Sequence, residues 1–326
     1  MKKNTDAHAG LLVNIMAEIQ LTFINKLSRK YPSEMIRREE ITYHAEVRAI
    51  AERVVENENI KLILLAGPSG SGKTTTANLV SDAIKSLGEE STVISLDDFY
   101  KPHGDPSYPK FSDGSHDYEC PEALDLDFLR ETLVAITANK PFSVPKYDFK
   151  TGERTKVTEY PPVNHGCIVI EGLHALNPTI SDPLPKDKIL KVFVSVSTNI
   201  NVDGERILSG RKIRFVRRLV RDSIYRGADA ERTLSMWKGV LKAEDIYLYP
   251  YKATADIAFD TYHTFELGVM KPFAEKLLTE ELAERDGYVA TVLEAIRQIE
   301  PVDIDLVPEN SLIREFIPGG IYEHLY

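Results

Sequence analysis

Short runs of apolar residues alternate along most of the chain with segments whose apolar positions recur at helical spacing. A short continuous apolar run is typical of a strand that is buried on both faces, whereas helical spacing indicates an amphipathic helix. The runs predict strands at residues 60–66, 92–96, 167–170, 191–196 and 255–259. The helical segments lie near residues 73–87, 122–138, 203–225, 229–246 and 264–281. This alternation predicts an α/β fold with a mostly parallel β-sheet and helices on both faces.

The two ends of the chain differ from this central pattern. Residues 9–58 are rich in Glu, Arg, Ile, Leu and Ala, and their apolar positions suit two or more helices. We therefore expect an N-terminal helical extension at residues 1–58, a main α/β domain at 59–285, and a C-terminal helix and tail at 286–326. Residues 100–118 are dense in Pro, Gly and Asp, and their place after a strand favours a functional loop.

Charge and composition narrow the range of functions. The net charge of −10 argues against a general nucleic-acid-binding protein, so a phosphate site would need a local cluster of positive charge. Apolar runs are all well short of the ~20 residues that span a bilayer, which argues against a membrane partner. Cys120 and Cys167 match no zinc or redox spacing, and we expect them to be free thiols of a cytoplasmic protein.

A phosphate-binding loop follows the first predicted strand. Residues 67–74 match the pattern G-x-x-x-x-G-K-[ST] in full and precede a helical segment, which predicts a P-loop NTPase fold. The glycines let successive backbone N–H groups point at phosphate oxygens at a helix N-terminus. Lys73 is expected at the β- and γ-phosphates of ATP, and Thr74 on Mg²⁺. The residues expected to bind the nucleotide are Gly67, Ser69, Gly70, Ser71, Gly72, Lys73, Thr74 and Thr75.

Carboxylates stand at the ends of two predicted strands. Asp97 and Asp98 follow the strand at 92–96, which we expect to neighbour the strand before the phosphate loop. A kinase for a small molecule needs a carboxylate there to orient the acceptor hydroxyl and to accept its proton. Glu171 ends the strand at 167–170, at the position from which an acidic residue meets Mg²⁺ or its waters.

Positive charge is concentrated in the predicted helix at 203–225. Arg214, Arg217, Arg218 and Arg221 share one helix face by their i, i+3, i+4, i+7 spacing, and Arg226 follows them. In an acidic protein such a face is expected to meet an anion. Arginines on a mobile helix pair can neutralise the charge of a phosphoryl group in transfer, so the pattern predicts a helical lid.

Taken together, these motifs resemble the uridine kinase and phosphoribulokinase family of P-loop kinases over about residues 60–259. The motifs are GPSGSGKTT (67–75), SLDDFY (95–100), PKYDFKTGERT (145–155), VIEGLHAL (169–176) and RRLVRDSIYRG (217–227). Within the family the chain is most similar to the uridine–cytidine kinases, and especially to a bacterial nucleoside-kinase branch. The run SLIREFIPGG at 311–320 resembles the tail of that branch.

The resemblance implies roles for the matching residues. Asp97 corresponds to the catalytic base for the 5′-hydroxyl of ribose, and Glu119, with Asp117 as the alternative, to the acid that holds the ribose hydroxyls. Lys73, Arg218 and Arg221 are implied to be catalytic, Arg226 to bind the nucleotide, and Thr74 and Glu171 to bind the metal. The residues implied to bind substrate are Asp97, Tyr100, Asp117, Glu119, Tyr147, Phe149, Arg154 and Arg218. The family further implies ATP and Mg²⁺ as cofactors, a nucleoside as small-molecule substrate, and a homo-oligomer.

Two departures from the family pattern bear on the acceptor. Uridine–cytidine kinases usually carry a histidine that reads the pyrimidine edge where this chain has Gly152, and some relatives have a further arginine at Ala228. The leading hypothesis is phosphorylation of uridine or cytidine to the 5′-monophosphate. The alternatives are a kinase for another acceptor (a different nucleoside, a sugar phosphate or pantothenate) and a non-catalytic nucleotide sensor. A sensor is expected to lack a base or a metal ligand, yet Asp97, Thr74 and Glu171 are all present.

Overall fold

The structure, a computed structural model, describes residues 17–110, 114 and 116–325. Its strands are β1 (Glu18–Gln20), β2 (Leu62–Ala66), β3 (Glu90–Ser95), β4 (Phe142–Asp148), β5 (Glu153–Tyr160), β6 (Gly166–Glu171), β7 (Ile189–Ser195), β8 (Asn199–Val202), β9 (Glu205–Leu208) and β10 (Ile257–Asp260). Its helices are α1 (Leu21–Lys30), α2 (Pro32–Val55), α3 (Lys73–Ser86), α4 (Leu126–Thr137), α5 (Pro178–Ser181), α6 (Gly210–Arg226), α7 (Ala230–Tyr247), α8 (Glu266–Leu277), α9 (Glu280–Arg285) and α10 (Gly287–Arg297). Within these described ranges, no helix combines the length and the apolar character needed to cross a membrane.

The central sheet has five parallel strands in the order β10-β7-β2-β6-β3. These are the strands expected from the apolar runs, so the predicted α/β fold with a mostly parallel sheet is confirmed. The expected strand order is wrong in one respect. β3 does not neighbour β2, because β6 lies between them and pairs with both. β2 is buried along its whole length, which explains its continuous apolar run.

Helices cover both faces of this sheet. Ile63 and Leu65 join a core with residues of α1, α2, α3, α6, α8 and α10. Leu62, Leu64 and Ala66 join a second core with residues of α4 and α5. Successive side chains of a strand point to opposite faces, so β2 supplies both cores alternately. The predicted burial of the sheet on both faces is confirmed.

Segments near both ends of the chain pack into the first core. α1 and α2 contribute buried apolar side chains, and so does the segment at residues 312–317, which follows α10. The hydroxyl of Tyr43 in α2 forms a 2.8 Å hydrogen bond with the hydroxyl of Thr76 in α3. Glu315 of the C-terminal segment accepts a hydrogen bond from Thr75, so α2 and this segment both lie against α3.

The sequence pattern predicts neither of the two smaller sheets. β4 and β5 form an antiparallel hairpin, and β1, β8 and β9 form a three-stranded sheet. The helix expected at 203–225 is wrong at its start, because residues 205–208 form β9 and α6 begins at Gly210. Asp203 and Gly204 have positive φ values of 50° and 86°, which suits a tight hairpin turn. In the expected N-terminal helical extension, Glu18–Gln20 is a strand, and residues 1–16 lie outside the described part.

Both cysteines are buried and free. Cys167 lies in β6 within the first core, and Cys120 packs with Tyr108 and Ala123. The expectation of two free thiols is confirmed.

Candidate active site

The phosphate loop connects β2 to α3 at the carboxyl edge of the sheet, the strand–loop–helix arrangement of a P-loop NTPase. Gly70 and Gly72 have φ values of 71° and 83°, in the left-handed region that other residues rarely adopt. A Cβ atom at Gly70 would stand 2.8 Å from the carbonyl oxygen of Arg214, and one at Gly72 would stand 2.6 Å from Leu312. The loop therefore requires glycine at both positions, and it opens onto the N–H groups of the first turn of α3.

The polar side chains of the loop suit a phosphate ligand. Lys73 donates its ammonium group to the carbonyl oxygen of Pro68 at 3.1 Å, and Thr74 is partly accessible. The hydroxyl of Ser71 is buried and has no hydrogen-bond partner. An orphaned hydroxyl beside a helix N-terminus fits a ligand rich in oxygen atoms, such as the triphosphate of ATP.

Asp97 and Glu171 lie close enough to Lys73 for their charges to interact. Burial, together with the charge of Asp97, raises the pKa of Glu171 to about 7, although Lys73 opposes the shift. Asp97 lies in the turn after β3 and is open to solvent on one side. Burial by the surrounding protein nevertheless raises the pKa of Asp97. The charge of Lys73 opposes this shift, and the charge of Asp98 adds to it. β6 separates β2 from β3, but Asp97 still lies near the phosphate loop, since the charge of Lys73 lowers its pKa against the effect of burial.

The oxygen donors at this edge fit Mg²⁺ held jointly with phosphates. No group of three or more His, Cys, Asp or Glu side chains in residues 17–110, 114 and 116–325 could hold a metal ion by itself. Mg²⁺ in kinases is usually bound by one or two protein oxygens plus the phosphates of the nucleotide. The hydroxyl of Thr74 and the carboxylate of Glu171 are donors of that kind.

Arg214 and Arg217 reach the phosphate loop, but both are fully buried and neutralised. Arg214 donates to the carbonyl oxygen of Ser69 at 2.7 Å and pairs with Glu244 of α7 at 2.8 Å. Arg217 donates to the carbonyl oxygen of the next loop residue at 3.2 Å and pairs with Glu266 at 2.6 Å. The expectation that this helix face meets an anion is therefore wrong for these two arginines, because acids from other elements neutralise them. They support the backbone of the loop instead.

Arg218, Arg221 and Arg226 converge on one carboxylate, that of Asp222, at 3.2, 2.8 and 3.4 Å. Arg218 also donates to the hydroxyl of Ser69 in the phosphate loop at 2.9 Å. The nearby charge of Arg221, followed by burial, lowers the pKa of Arg226 to about 10. Such crowding of positive charge beside the loop favours an anionic ligand. The sequence pattern had given Asp222 no role.

Aromatic side chains cluster near Asp97, where burial and then the charge of Asp97 raise the pKa of Tyr100. The ring of Tyr147 lies 5.7 Å from that of Tyr100 and 5.0 Å from that of Phe149, and the rings of Tyr100 and Phe149 are 5.8 Å apart. Phe149 is 64% exposed, so its face is free to contact a ligand. The hydroxyl of Tyr100 donates to the carbonyl oxygen of Tyr118 at 2.9 Å. The structure thus brings these three sequence-predicted residues together as one aromatic group.

The hairpin β4–β5 is tied to the turn that carries Asp97. The ammonium group of Lys146 lies 3.0 Å from the carboxylate of Asp98. Arg154 pairs with Asp125 at 3.0 Å and donates to the carbonyl oxygen of Tyr100 at 3.2 Å. Arg154, expected to bind substrate, is therefore engaged by protein groups, and it positions the aromatic group.

Of the two acids expected at the ribose, Glu119 lies within electrostatic range of both Arg218 and Asp97. Burial raises the pKa of Glu119, the charge of Arg218 lowers it, and the charge of Asp97 raises it further. Asp117 uses its carboxylate to accept the backbone N–H of Glu119 at 3.0 Å. The structure thus gives Asp117 a supporting position, while residues 111–113 and 115 of the same loop lie outside the described part.

The space beside Gly152 is filled by His103, a residue that the sequence pattern did not single out as a ligand. Gly152 has a φ of 71°, and a Cβ atom there would stand 2.4 Å from Nδ1 of His103. The backbone N–H of His103 donates to the carbonyl oxygen of Gly152 at 2.9 Å. Its ring lies 5.5 Å from that of Tyr118 and 6.4 Å from that of Tyr147. An imidazole therefore stands next to the aromatic group although the hairpin itself carries none.

Comparisons with known proteins agree with this geometry. The model of the phosphoribulokinase / uridine kinase family matches residues 62–267. A uridine kinase of Staphylococcus aureus (strain JH9) is 29% identical over 199 residues, which cover 60% of this chain and 85% of the relative.

Two solved structures of candidate kinases are similar to part of this chain. A candidate fructose transport system kinase from Silicibacter sp. TM1040 is 18% identical, covers 65% of this chain and 98% of its own, and has a TM-score of 0.46. A candidate uridine kinase from Bacillus stearothermophilus is 19% identical, covers 66% of this chain and 100% of its own, and has a TM-score of 0.42. On the match of the family model, together with the phosphate loop, the chain belongs to the phosphoribulokinase / uridine kinase family and is an ATP-dependent kinase.

Proposed function

We propose that the protein transfers the γ-phosphoryl group of ATP to the 5′-hydroxyl of a nucleoside, with uridine or cytidine as the acceptor, in cytoplasmic pyrimidine salvage. The observation that carries the proposal is the aromatic group of Tyr100, Tyr147 and Phe149. Tyr100 lies close enough to Asp97 for the charge of Asp97 to add to the effect of burial in raising the pKa of the tyrosine. A nucleobase stacked on an aromatic side chain gains about 1–3 kcal/mol. Sugar phosphates and pantothenate have no planar ring to use this surface.

The acceptor hydroxyl would be activated by Asp97. Its raised pKa makes this carboxylate a stronger base than an ordinary aspartate, which suits a group that accepts a proton as the hydroxyl attacks. Glu119, whose pKa responds to the charge of Asp97, would accept hydrogen bonds from the ribose hydroxyls. These two acids would orient the sugar and leave its 5′-oxygen directed at the phosphate loop.

The transferring phosphoryl group would be stabilised from the other side of the cleft. Lys73, Arg218 and Arg221 would place positive charge around the phosphates, where negative charge spreads during transfer. Mg²⁺ bound by Thr74 and Glu171 would neutralise charge on the β- and γ-phosphates. Arg226, half exposed at the C-terminal end of α6, would meet the nucleotide.

His103 supports a nucleobase as the ligand of the aromatic group. Its ring occupies the place into which a side chain at Gly152 would project. The imidazole of His103 is exposed, and it can donate or accept a hydrogen bond at the edge of a base. We therefore assign base recognition to His103 in place of a hairpin histidine.

A sugar-phosphate acceptor fits the cleft less well. It would need a free cation near Asp97. Of the cations whose charge reaches Asp97, Lys146 is paired with Asp98, and Lys73 and Arg226 are the residues expected to meet the nucleotide. Separating such a pair to bind a phosphate would cost part of the binding energy. This contrast favours an uncharged nucleoside.

The proposal can be tested with purified protein, Mg·ATP and a pooled panel of acceptors, with mass spectrometry of the products. The panel contains uridine, cytidine, adenosine, guanosine, inosine, thymidine, ribulose 5-phosphate and pantothenate. Asp97→Asn is the test variant, and Asp127→Asn, at a side chain that is 92% exposed, is the matched control. We expect UMP or CMP from the wild type and the control, and a decrease of about 10²–10⁴-fold in Asp97→Asn. Phosphorylation of ribulose 5-phosphate or pantothenate alone would overturn the nucleoside assignment.

We also propose how the rest of the chain serves this reaction. Residues 59–285 would form the nucleoside kinase domain, and residues 1–58 and 286–326 would support it, since α2 and the segment at 312–317 pack against α3. A homo-oligomer is expected, and light scattering after gel filtration would measure its mass. A single monomeric mass at all concentrations would refute this expectation.

A further inference from the structure

The segment at residues 311–317, here called the C-terminal strap, contacts the phosphate loop directly. Leu312 of the strap packs against Gly72, where an added Cβ atom would stand 2.6 Å from the Leu312 side chain. Glu315 accepts a hydrogen bond from the hydroxyl of Thr75 at 3.0 Å and one from its backbone N–H at 3.4 Å. Thr75 is in the first turn of α3. The strap thus places a carboxylate, only 4% exposed, at the base of the phosphate site.

The second oxygen of Glu315 faces the arginine cluster. It lies 3.6 Å from Nη1 of Arg221, whose Nε and Nη2 donate to Asp222 at 2.9 and 2.8 Å. The guanidinium of Arg221 is therefore held by two carboxylates that approach different nitrogen atoms. The two hydrogen bonds to one oxygen of Asp222, together with the ion pair with Glu315, restrict the position of the guanidinium group.

The strap is itself held in place by specific contacts. The hydroxyl of Ser311 caps its turn by accepting the N–H of Ile313 at 3.1 Å. The guanidinium of Arg217 lies over the ring of Phe316 at 5.0 Å, and the hydroxyl of Tyr225 donates to the carbonyl oxygen of Ile317 at 3.0 Å. Glu315 therefore sits on a fixed support between α3 and α6.

We infer that Glu315 of the C-terminal strap is a positioning residue for phosphoryl transfer, which acts by orienting Arg221 toward the phosphates. A long cationic side chain has many rotamers in a cleft, and a second buried anion restricts it to one before ATP binds. The strap thereby becomes part of the active site. The inference rests on the proposed role of Arg221 at the phosphates, and it is independent of which acceptor is used.

The test compares Glu315→Gln with the wild type in steady-state kinetics with ATP varied. The amide oxygen of glutamine can still accept from Thr75, but it no longer carries the charge that Arg221 faces. Glu309→Gln, at an exposed position just before the strap, is the matched control. We expect kcat/KM for ATP to fall about tenfold in Glu315→Gln and to be unchanged in Glu309→Gln, with the same KM for the acceptor in both. Circular dichroism spectra and Tm values would show whether the variants are folded.

A double-mutant cycle with Arg221→Gln separates positioning from general support of the fold. If Glu315 acts through Arg221, the double variant loses no more activity than Arg221→Gln alone. The inference would be overturned if the activity losses of the two single variants added up in the double variant. It would also be overturned if Arg221→Gln were impaired while Glu315→Gln kept wild-type kinetics. Full activity of Arg221→Gln would instead refute the proposed role of Arg221 and the inference with it. If Glu315→Gln does not fold, Glu315→Asp, which keeps the charge but shortens its reach, enters the same cycle.

Discussion

The Arg214–Glu244 ion pair joins α6 and α7 to the phosphate loop. Both side chains are fully buried, and two 2.8 Å hydrogen bonds connect them. Glu244 also accepts the backbone N–H of Ser69 at 2.9 Å, and Arg214 donates to the carbonyl oxygen of the same residue at 2.7 Å. Glu244→Ala therefore leaves a buried guanidinium and a loop N–H without their anion.

The expected loss of stability follows from this burial. Removing one partner of a buried ion pair costs about 3–5 kcal/mol, because the remaining charge stays desolvated. Unfolding entropy is about 2.1 cal/mol/K per residue, and the chain has 326 residues, so Tm should fall by about 4–7 °C. The double variant Arg214→Met/Glu244→Leu removes the charge as well. It should recover part of the loss, but not the part due to the unsatisfied backbone of Ser69.

Urea denaturation and thermal unfolding would measure this effect, and KM for ATP would report on the loop. The control is Asp245→Ala, which breaks the exposed Arg211–Asp245 pair between the same two helices. An exposed pair contributes about 1 kcal/mol or less. If Glu244→Ala lowered the free energy of unfolding no more than Asp245→Ala does, the Arg214–Glu244 pair would not stabilise the fold in the way expected of a buried ion pair.

Three further predictions concern the site. Burial raises the pKa of Glu171 to about 7 in the folded protein, so the free energy of unfolding should fall as pH rises from about 4.5 to about 7, because the folded state holds a proton that the unfolded chain releases. Urea denaturation at several pH values should show that the free energy of unfolding falls less steeply with pH in Glu171→Gln than in the wild type. An unchanged pH dependence would contradict this account. His103→Ala should raise KM for the nucleoside about tenfold and leave KM for ATP unchanged, with the exposed His165→Ala as control; equal changes in both KM values would exclude a role in base recognition. Asp222→Asn should destabilise the protein by about 3 kcal/mol, because three arginines lose their common anion, and ATP should then raise Tm by more than it does in the wild type. An equal ATP-induced shift would mean that the triphosphate does not meet these arginines.

Features encoded by neighbouring residues could be predicted from the sequence. The buried strands appear as apolar runs because both faces of β2 and its neighbours are covered. The phosphate loop is a local pattern, since its glycines, Lys73 and Thr74 serve one turn between a strand and a helix. Hairpin β4–β5 was missed because β5 is largely exposed and rich in charged residues, so its pattern of alternation is weak. The Asp-Gly pair at 203–204 was an available signal for the β8–β9 turn.

The sequence by itself determined the α/β class, the phosphate loop and the acids at the strand ends, because periodicity and local turns depend on residues close together along the chain. The tertiary structure alone decided which charges remain available. Arg214 meets Glu244 and Arg217 meets Glu266 at sequence separations of 30 and 49 residues, and no local pattern distinguishes them from Arg218 or Arg221. His103 reaches Gly152, and Glu315 reaches Arg221, only after folding brings distant segments together. Pairing and burial depend on contacts across the fold, and those contacts decide what each arginine, acid and imidazole can do.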